Sequence, residues 1–258
     1  MSSKRLEAFA VTGIPLVQPG DDLSELIIDG LASNGLAPES GDVIVIAQKI
    51  ISKAENRIVS MSDIKPSEKA LEIAEEIDKD PAMVELVLRE SNQVIAKGNN
   101  VLIVEDIRGF ILANAGIDRS NIEDSEAKAL LLPEDANFSA EKIRTALNAH
   151  FNLALGVVVT DSVGRPFRLG TVGMAIGSAG VEALQNLRGN HDMFGKELMV
   201  AEHAIADAIA ATAELLMGEG DEAIPLVLIR GLKQGNSEQT AATILRPEAE
   251  DLFRNGTK

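Results

Sequence analysis

The sequence predicts a mixed α/β fold, α+β in character rather than a clean doubly wound sheet. Three observations carry this. A short run at 43–47 is apolar on both faces, which is the signature of a central strand, and further strands are read over 154–160 and 226–231. Amphipathic stretches with the helical period are interspersed with them. The order in which strands and helices follow one another is irregular, which argues against a regular βαβ alternation.

Taken in order, "GIPLVQPGDDLSELIIDGLASNGL" reads as a turn and then a helix started by Gly20 and Asp21. Leu23, Leu26, Ile27, Gly30 and Leu31 fall on one face of that helix. "VIVIA" is a central strand that leads into Gln48, Lys49 and Lys53. Residues 65–95 read as two helices with Pro66 and Pro81 near their first turns, where a missing N–H costs nothing. "NNVLIVED" and "GFILANAG" are two strands joined by a turn at Arg108 and Gly109. A helix begins near Ser139, and a strand over 154–160 follows it. A helix is expected over 197–217, its polar stripe running through His203, Asp207 and Glu214 and its alanines permitting close packing. "LVLIRG" is a last buried strand, and "RPEAEDLFR" a short amphipathic helix.

The 258 residues are expected to form a single domain over 1–258, with room for two subdomains. Seven Phe with no Trp or Tyr mean an aliphatic core. A net charge of −16 repels polyanions, so no nucleic-acid partner is expected. The absence of Cys excludes disulfides, thiolate zinc sites and a cysteine nucleophile. No apolar run approaches membrane-spanning length and no signal-peptide pattern opens the chain, so the expectation is a cytoplasmic protein with no membrane partner. P-loop, Rossmann, nucleophile-elbow and zincin motifs are missing.

What remains are acids and bases at strand ends and glycine turns. Asp118 lies in "NAGIDRSN", Asp161 and Ser162 at the end of the strand 157–160, and Glu219 in "GEGDE". Oxygen donors of this kind suit a hard divalent cation that keeps waters and is completed by phosphates. Lys49, Lys53, Arg165 and Arg168 are the natural phosphate partners. Taken singly, each has a plainer reading: a turn aspartate, a helix stop, a solvated lysine edge. Spacing alone does not show that they converge.

In combination they are more specific. "GIPLVQPGDDL", "DVIVIAQKIISKAENR", "NAGIDRSN", "VVTDSVGRPFRLGTVGMAIGSAG" and "LLMGEGDEAIPLVLIRG" occur in this order over about residues 8–232. The chain resembles the coenzyme F420-0:γ-glutamyl ligase family. That resemblance implies an uncommon mixed-sheet fold, an intertwined homodimer, and a stand-alone form with no C-terminal flavin-binding domain. It implies a GTP-dependent ligase that adds L-glutamate through γ-linkages to coenzyme F420-0 via an acyl phosphate, releasing GDP and phosphate. The cofactors it implies are two divalent cations, Mg²⁺ or Mn²⁺, with K⁺ as a further ion.

Carried over by motif, Asp118, Asp161, Ser162 and Glu219 would hold metal. Ile14, Pro15, Leu16 and Val17, the pair Gln48 and Lys49, Lys53, Asn121, and the loop Met217, Gly218, Glu219, Gly220, Asp221, Glu222, Ala223 and Ile224 would bind the nucleotide. No side-chain nucleophile is expected. Arg165 and Arg168 would grip phosphate or substrate carboxylates, a role inferred from charge and position. Two other readings stand beside this one: a related amino-acid ligase acting on a different acidic acceptor, and a non-catalytic coenzyme F420-binding protein. The latter predicts the loss of a metal ligand, yet all four are present.

Overall fold

The apolar runs of the sequence lie in the middle of a five-stranded sheet. A computed structural model describes residues 4–121 and 124–251. Its elements are β1 (Glu7–Val11), α1 (Leu23–Ser33), β2 (Val43–Ala47), α2 (Gln48–Ala54), β3 (Ile58–Ser60), α3 (Glu68–Ile77), α4 (Pro81–Arg89), β4 (Ser91–Gly98) and β5 (Val101–Asp106). There follow β6 (Ile111–Ala113), β7 (Lys128–Leu130), α5 (Ala136–Phe151), β8 (Gly156–Gly164), β9 (Thr171–Ala179), β10 (Leu184–Asn186), β11 (Glu202–Ala204), α6 (Ile205–Met217) and β12 (Leu226–Arg230).

The main sheet runs β1-β12-β2-β8-β9. Only β2 and β8 are parallel; the other pairs are antiparallel. The mixed α/β expectation therefore holds, with a sheet of mixed orientation.

Alternation along the strands divides the core. Ile44, Ile46, Val157, Val159, Leu226 and Leu228 face α1 and α5, whose Ile27, Leu31, Ile143 and Leu147 complete one cluster. Val43, Val45, Val158, Val227 and Ile229 face α6 through Ala206, Ile209, Ala210 and Ala213. Each of these strand residues is buried on its own side, which is why the runs are apolar throughout. A second core, built by α3, α4, β4, β5 and the segment around Leu131, gathers Ile73, Ile77, Val84, Val87, Leu102 and Val104.

Close approach explains the glycines of β9. A Cβ on Gly173 would meet the Ala210 carbonyl oxygen at 2.6 Å, and one on Gly177 would meet that of Ala136 at 2.4 Å. The small residues of α6 thus serve packing against β9.

Several boundaries differ from the sequence expectation. Helix α1 is capped by Asp22 rather than Asp21, with the Asp22 carboxylate accepting from Ser24 and Glu25. Helix α5 starts at Ala136, capped by Asp135, before Ser139. The strand expected to end at Thr160 runs on to Gly164 and forms a hairpin with β9, so Asp161 and Ser162 sit inside β8. The helix expected over 197–217 begins only at Ile205, because Glu202–Ala204 pairs with Leu184–Asn186, and His203 belongs to that pair. At the C-terminus the expected helix is a single 3-10 turn, Glu248–Glu250; residues 252–254 lie outside the described residues.

Candidate active site

The site forms where β2 and β8 part company. Their parallel register ends at Ala47 opposite Thr160. Beyond it β2 turns into α2 at Gln48, while β8 continues along β9. The crevice outside the carboxyl ends of parallel strands is the usual binding position in α/β sheets. A register shift between Val159 and Thr160 marks a bulge next to it, and bulges re-aim side chains at sites of this kind.

A cavity of about 570 Å³ opens there, within the range of small-molecule sites. Its wall contains residues 14–17, 48, 49, 53, 121, 161, 162, 217–221, 223 and 224 of the sequence expectation. Five parts of the chain, far apart in sequence, thus meet around one space. Asp118 lies just behind this wall, tied to it by Lys49, whose Nζ is 2.7 Å from Asp118 Oδ2. The Asp118 backbone is pinned by reciprocal bonds with Leu130. Its approach passes through Asn114, Ala115 and Gly116, all with positive φ.

Besides Asp118, three expected residues are not in the wall. Glu222 turns back, its carboxylate accepting from the Gly220 N–H at 2.8 Å. It packs beneath Gly218, where φ is 69° and a Cβ would strike the Glu222 carboxyl, so only glycine fits. Arg165 and Arg168 sit on the turn of the β8–β9 hairpin, away from the cavity wall.

The wall also contains residues not singled out in the sequence as site residues: Gln18, Thr160, Glu214 and Pro225. Glu214 had a detectable signal. A carboxylate in the last turn of a helix opposes the helix dipole, and so asks for a reason. Thr171, at the start of β9, is another: its hydroxyl donates to Glu219 Oε1 at 2.9 Å, while Ser162 donates to Oε2 at 3.2 Å.

Charge is unevenly distributed. Burial pushes the Asp161 carboxyl up to about 7; Asp118 acts in the same direction, while Lys49, the Gln48 amide and the Ser162 N–H act against it. Burial, then contact with Glu219, pushes Glu214 up to about 7 as well. Burial also raises Glu219, but Glu214, Thr171, Ser162 and Lys49 outweigh it and leave that group below its ordinary value. Asp118 behaves likewise: burial acts upward, and Lys49 and Ser120 more than offset it. Four acidic side chains thus face two ammonium groups, Lys49 and Lys53.

This donor set fits a hard divalent cation. All the candidate ligands are oxygens, Asp161 is a half-buried carboxylate in the cavity wall, and Thr160 Oγ1 and Glu214 Oε1 are buried without a hydrogen-bond partner among the described residues. Among the described residues no three Asp, Glu or His side chains are grouped so as to hold a metal ion by themselves. An open set of that sort suits Mg²⁺ or Mn²⁺ completed by water and phosphate oxygens. Lys49 donates to Ser120 Oγ and Lys53 to the Asn121 carbonyl, so both lysines are anchored at the cavity wall.

Known proteins resemble this sequence over nearly its whole length. A family model described as "F420-0:Gamma-glutamyl ligase" matches residues 12–231. The "Coenzyme F420:L-glutamate ligase" of Methanothermobacter thermautotrophicus is 44% identical over 251 residues, covering 96% of this chain and 99% of the relative. That of Archaeoglobus fulgidus is 44% identical over 254 residues, 98% of both chains. The relative from Methanocaldococcus jannaschii is 41% identical over 244 residues, 94% of both. Among the described residues no helix is long and apolar enough to cross a membrane.

Proposed function

The chain belongs to the F420-0:gamma-glutamyl ligase family, and from that premise we propose that it is a GTP-dependent ligase joining L-glutamate to coenzyme F420-0 through γ-linkages. The observation that carries the reading is that residues 14–17, 48–50, 53, 161–162, 217–221, 223 and 224 all border one cavity.

The chemistry follows from the acceptor. A carboxylate is a poor acyl donor, so its oxygen first takes the γ-phosphoryl group of GTP, giving an acyl phosphate and GDP. The glutamate amine then attacks the acyl carbon, the amide forms, and phosphate leaves with the electron pair of the broken C–O bond. Both steps bring anions together. Phosphoryl transfer therefore asks mainly for positioning and charge stabilisation, and no side-chain nucleophile is needed.

Each residue has a task on this reading. Lys49 and Lys53 offset phosphate charge. The backbone of 14–17 and the glycine-bearing loop 217–224 cradle the nucleotide, with Asn121 at the rim. Asp118, Asp161, Ser162 and Glu219 hold two divalent cations; when bound, these neutralise the transferring phosphoryl group and polarise it. Arg165 and Arg168 attract the acidic acceptor from the hairpin. The homodimer is part of the same reading; Phe167, Leu169, Met193, Phe194, Met199 and Val200, all exposed, are apolar side chains its interface could cover.

The test is turnover with F420-0, L-glutamate, GTP and Mn²⁺, reading GDP and product mass together. GDP release that needs both acceptor and glutamate, with one glutamate mass added per GDP, is expected. Coenzyme binding without GDP release would replace this reading with a binding role. Turnover only with another acidic acceptor would make the chain a sister ligase, and equal turnover with ATP would remove the nucleotide preference.

A further inference from the structure

Gln48 has partners of its own that a nucleotide contact would not need. The first residue of α2, it is only 2% exposed. Its Oε1 accepts from the Ser52 hydroxyl at 2.8 Å, one helical turn on, and Ser52 is 0% exposed. Its Nε2 then faces Asp161 Oδ1 at 3.5 Å. An amide has one accepting and one donating end. With the accepting end held by Ser52, the donating end is directed to Asp161.

The backbone brings the two together. Ala47 and Thr160 are the last register partners in the parallel β2–β8 ladder, so Gln48, which opens α2, and Asp161, still within β8, both emerge beside the same cavity. A donor fixed on Oδ1 leaves Oδ2 as the oxygen offered to the cavity.

We propose that Gln48 is a positioning residue for Asp161, and that a buried Ser52–Gln48–Asp161 chain decides which carboxylate oxygen meets the divalent cation. The proposal rests on Asp161 being a cation ligand. Partners that orient a metal ligand in this way affect metal affinity about 10- to 100-fold, whereas a nucleotide contact affects nucleotide affinity at any metal concentration.

The experiment measures Mn²⁺ binding by electron paramagnetic resonance, and GDP binding at saturating Mn²⁺ by calorimetry, in the full chain. Gln48→Met is expected to weaken the Mn²⁺ site that Asp161→Asn abolishes by about tenfold or more, and to leave GDP affinity at saturating Mn²⁺ unchanged. Ser52→Ala, a small change away from the cavity wall, moves Mn²⁺ affinity in the same direction by less. The double variant is no weaker than Gln48→Met alone, because Ser52 acts through the amide. Unchanged Mn²⁺ affinity in both folded single variants overturns the proposal. So does a loss of GDP affinity that Mn²⁺ cannot restore, which would make Gln48 a nucleotide contact. If Asp161→Asn itself keeps Mn²⁺ binding intact, the metal assignment fails and the proposal falls with it.

Discussion

Lys49 Nζ and Asp118 Oδ2 lie 2.7 Å apart, joining helix α2 to the loop that precedes β7. The same ammonium holds down Asp161 and Glu219. One lysine therefore balances three carboxylates where a cation is expected to enter. Replacement by Lys49→Met leaves Asp118 with only Ser120 as a side-chain donor. Loss of a charged hydrogen bond of this half-buried kind costs roughly 1–2 kcal/mol, a fall of several degrees in melting temperature for a chain this size. Mn²⁺ affinity without nucleotide is expected to hold or rise, because a competing charge has gone, while GDP affinity falls. Calorimetry of both ligands decides it. Lost Mn²⁺ binding with intact GDP binding would reverse the roles assigned to Lys49 and Asp118.

Asp161 and Glu214, both raised to about 7, give the ligand-free protein a defined pH dependence. Their ordinary values are 3.8 and 4.5. Between those values and about 7 the folded chain binds more protons than the unfolded one, so stability falls as pH rises across this window. Glu85, lowered to about 2 mainly by its hydrogen bonds from Ser67, acts oppositely, but its contribution is lost only below its ordinary 4.5. With chelator present, the melting temperature is expected to fall from pH 5.5 to 8. Mn²⁺ should flatten or invert the slope, since metal binds the deprotonated carboxylates. Asp161→Asn should shrink the chelator slope. A melting temperature that climbs over the same range in chelator would contradict the buried-carboxyl account.

The parts of this fold legible in the sequence are those in which local pattern and burial agree. The strands β2 and β12, apolar on both faces, and helix α4, begun by Pro81, could be read directly. Strand β4 could not: "SNQVIAKG" is half exposed and polar, and its pairing with β5 comes from tertiary context. Residues 197–204 carry Glu, Leu, Met and Ala, good helix formers, yet β11 there is claimed by β10. In the site, Asp161 stood out because a carboxylate interrupts an apolar run. Its convergence with Glu219 did not, since 57 residues separate Ser162 and Glu219, which share a hydrogen bond. Glu214 was read only as part of a helix's polar stripe, although its place in the last turn, against the helix dipole, could have marked it.

Two glycines of the hairpin should respond differently to alanine. Gly173 has the Ala210 carbonyl oxygen 2.6 Å from where a Cβ would stand, whereas Gly164 has open space. Overpacking against helix backbone costs about 1–3 kcal/mol. Because α6 must yield, Glu214 and the loop bearing Glu219 move with it. Gly173→Ala should therefore lower both melting temperature and GDP affinity, and Gly164→Ala should stay within about 0.5 kcal/mol of the parent. Equal behaviour of the two variants in thermal melts would show that α6 does not press on β9 as described.

Arg165 and Arg168 stand outside the cavity wall, on the turn whose two strands carry Asp161 and Ser162 on one side and Thr171 on the other. Phe167 and Leu169 beside them are 94% and 99% exposed. Guanidinium groups so placed can attract an acidic acceptor without touching the nucleotide. Removing them takes away binding that is equal in ground and transition states, which raises KM and spares kcat. The double substitution Arg165→Ala and Arg168→Ala should therefore raise the KM for the acidic acceptor by about tenfold, one 1.4 kcal/mol step, leaving kcat and GDP affinity near the parent. Its melting temperature should change little, since Arg168 is exposed and the half-buried Arg165 makes a long, 3.5 Å hydrogen bond to the Gly170 carbonyl. Steady-state kinetics with acceptor and GTP varied separately distinguish the outcomes. A KM change confined to GTP would place the two arginines over the nucleotide phosphates instead.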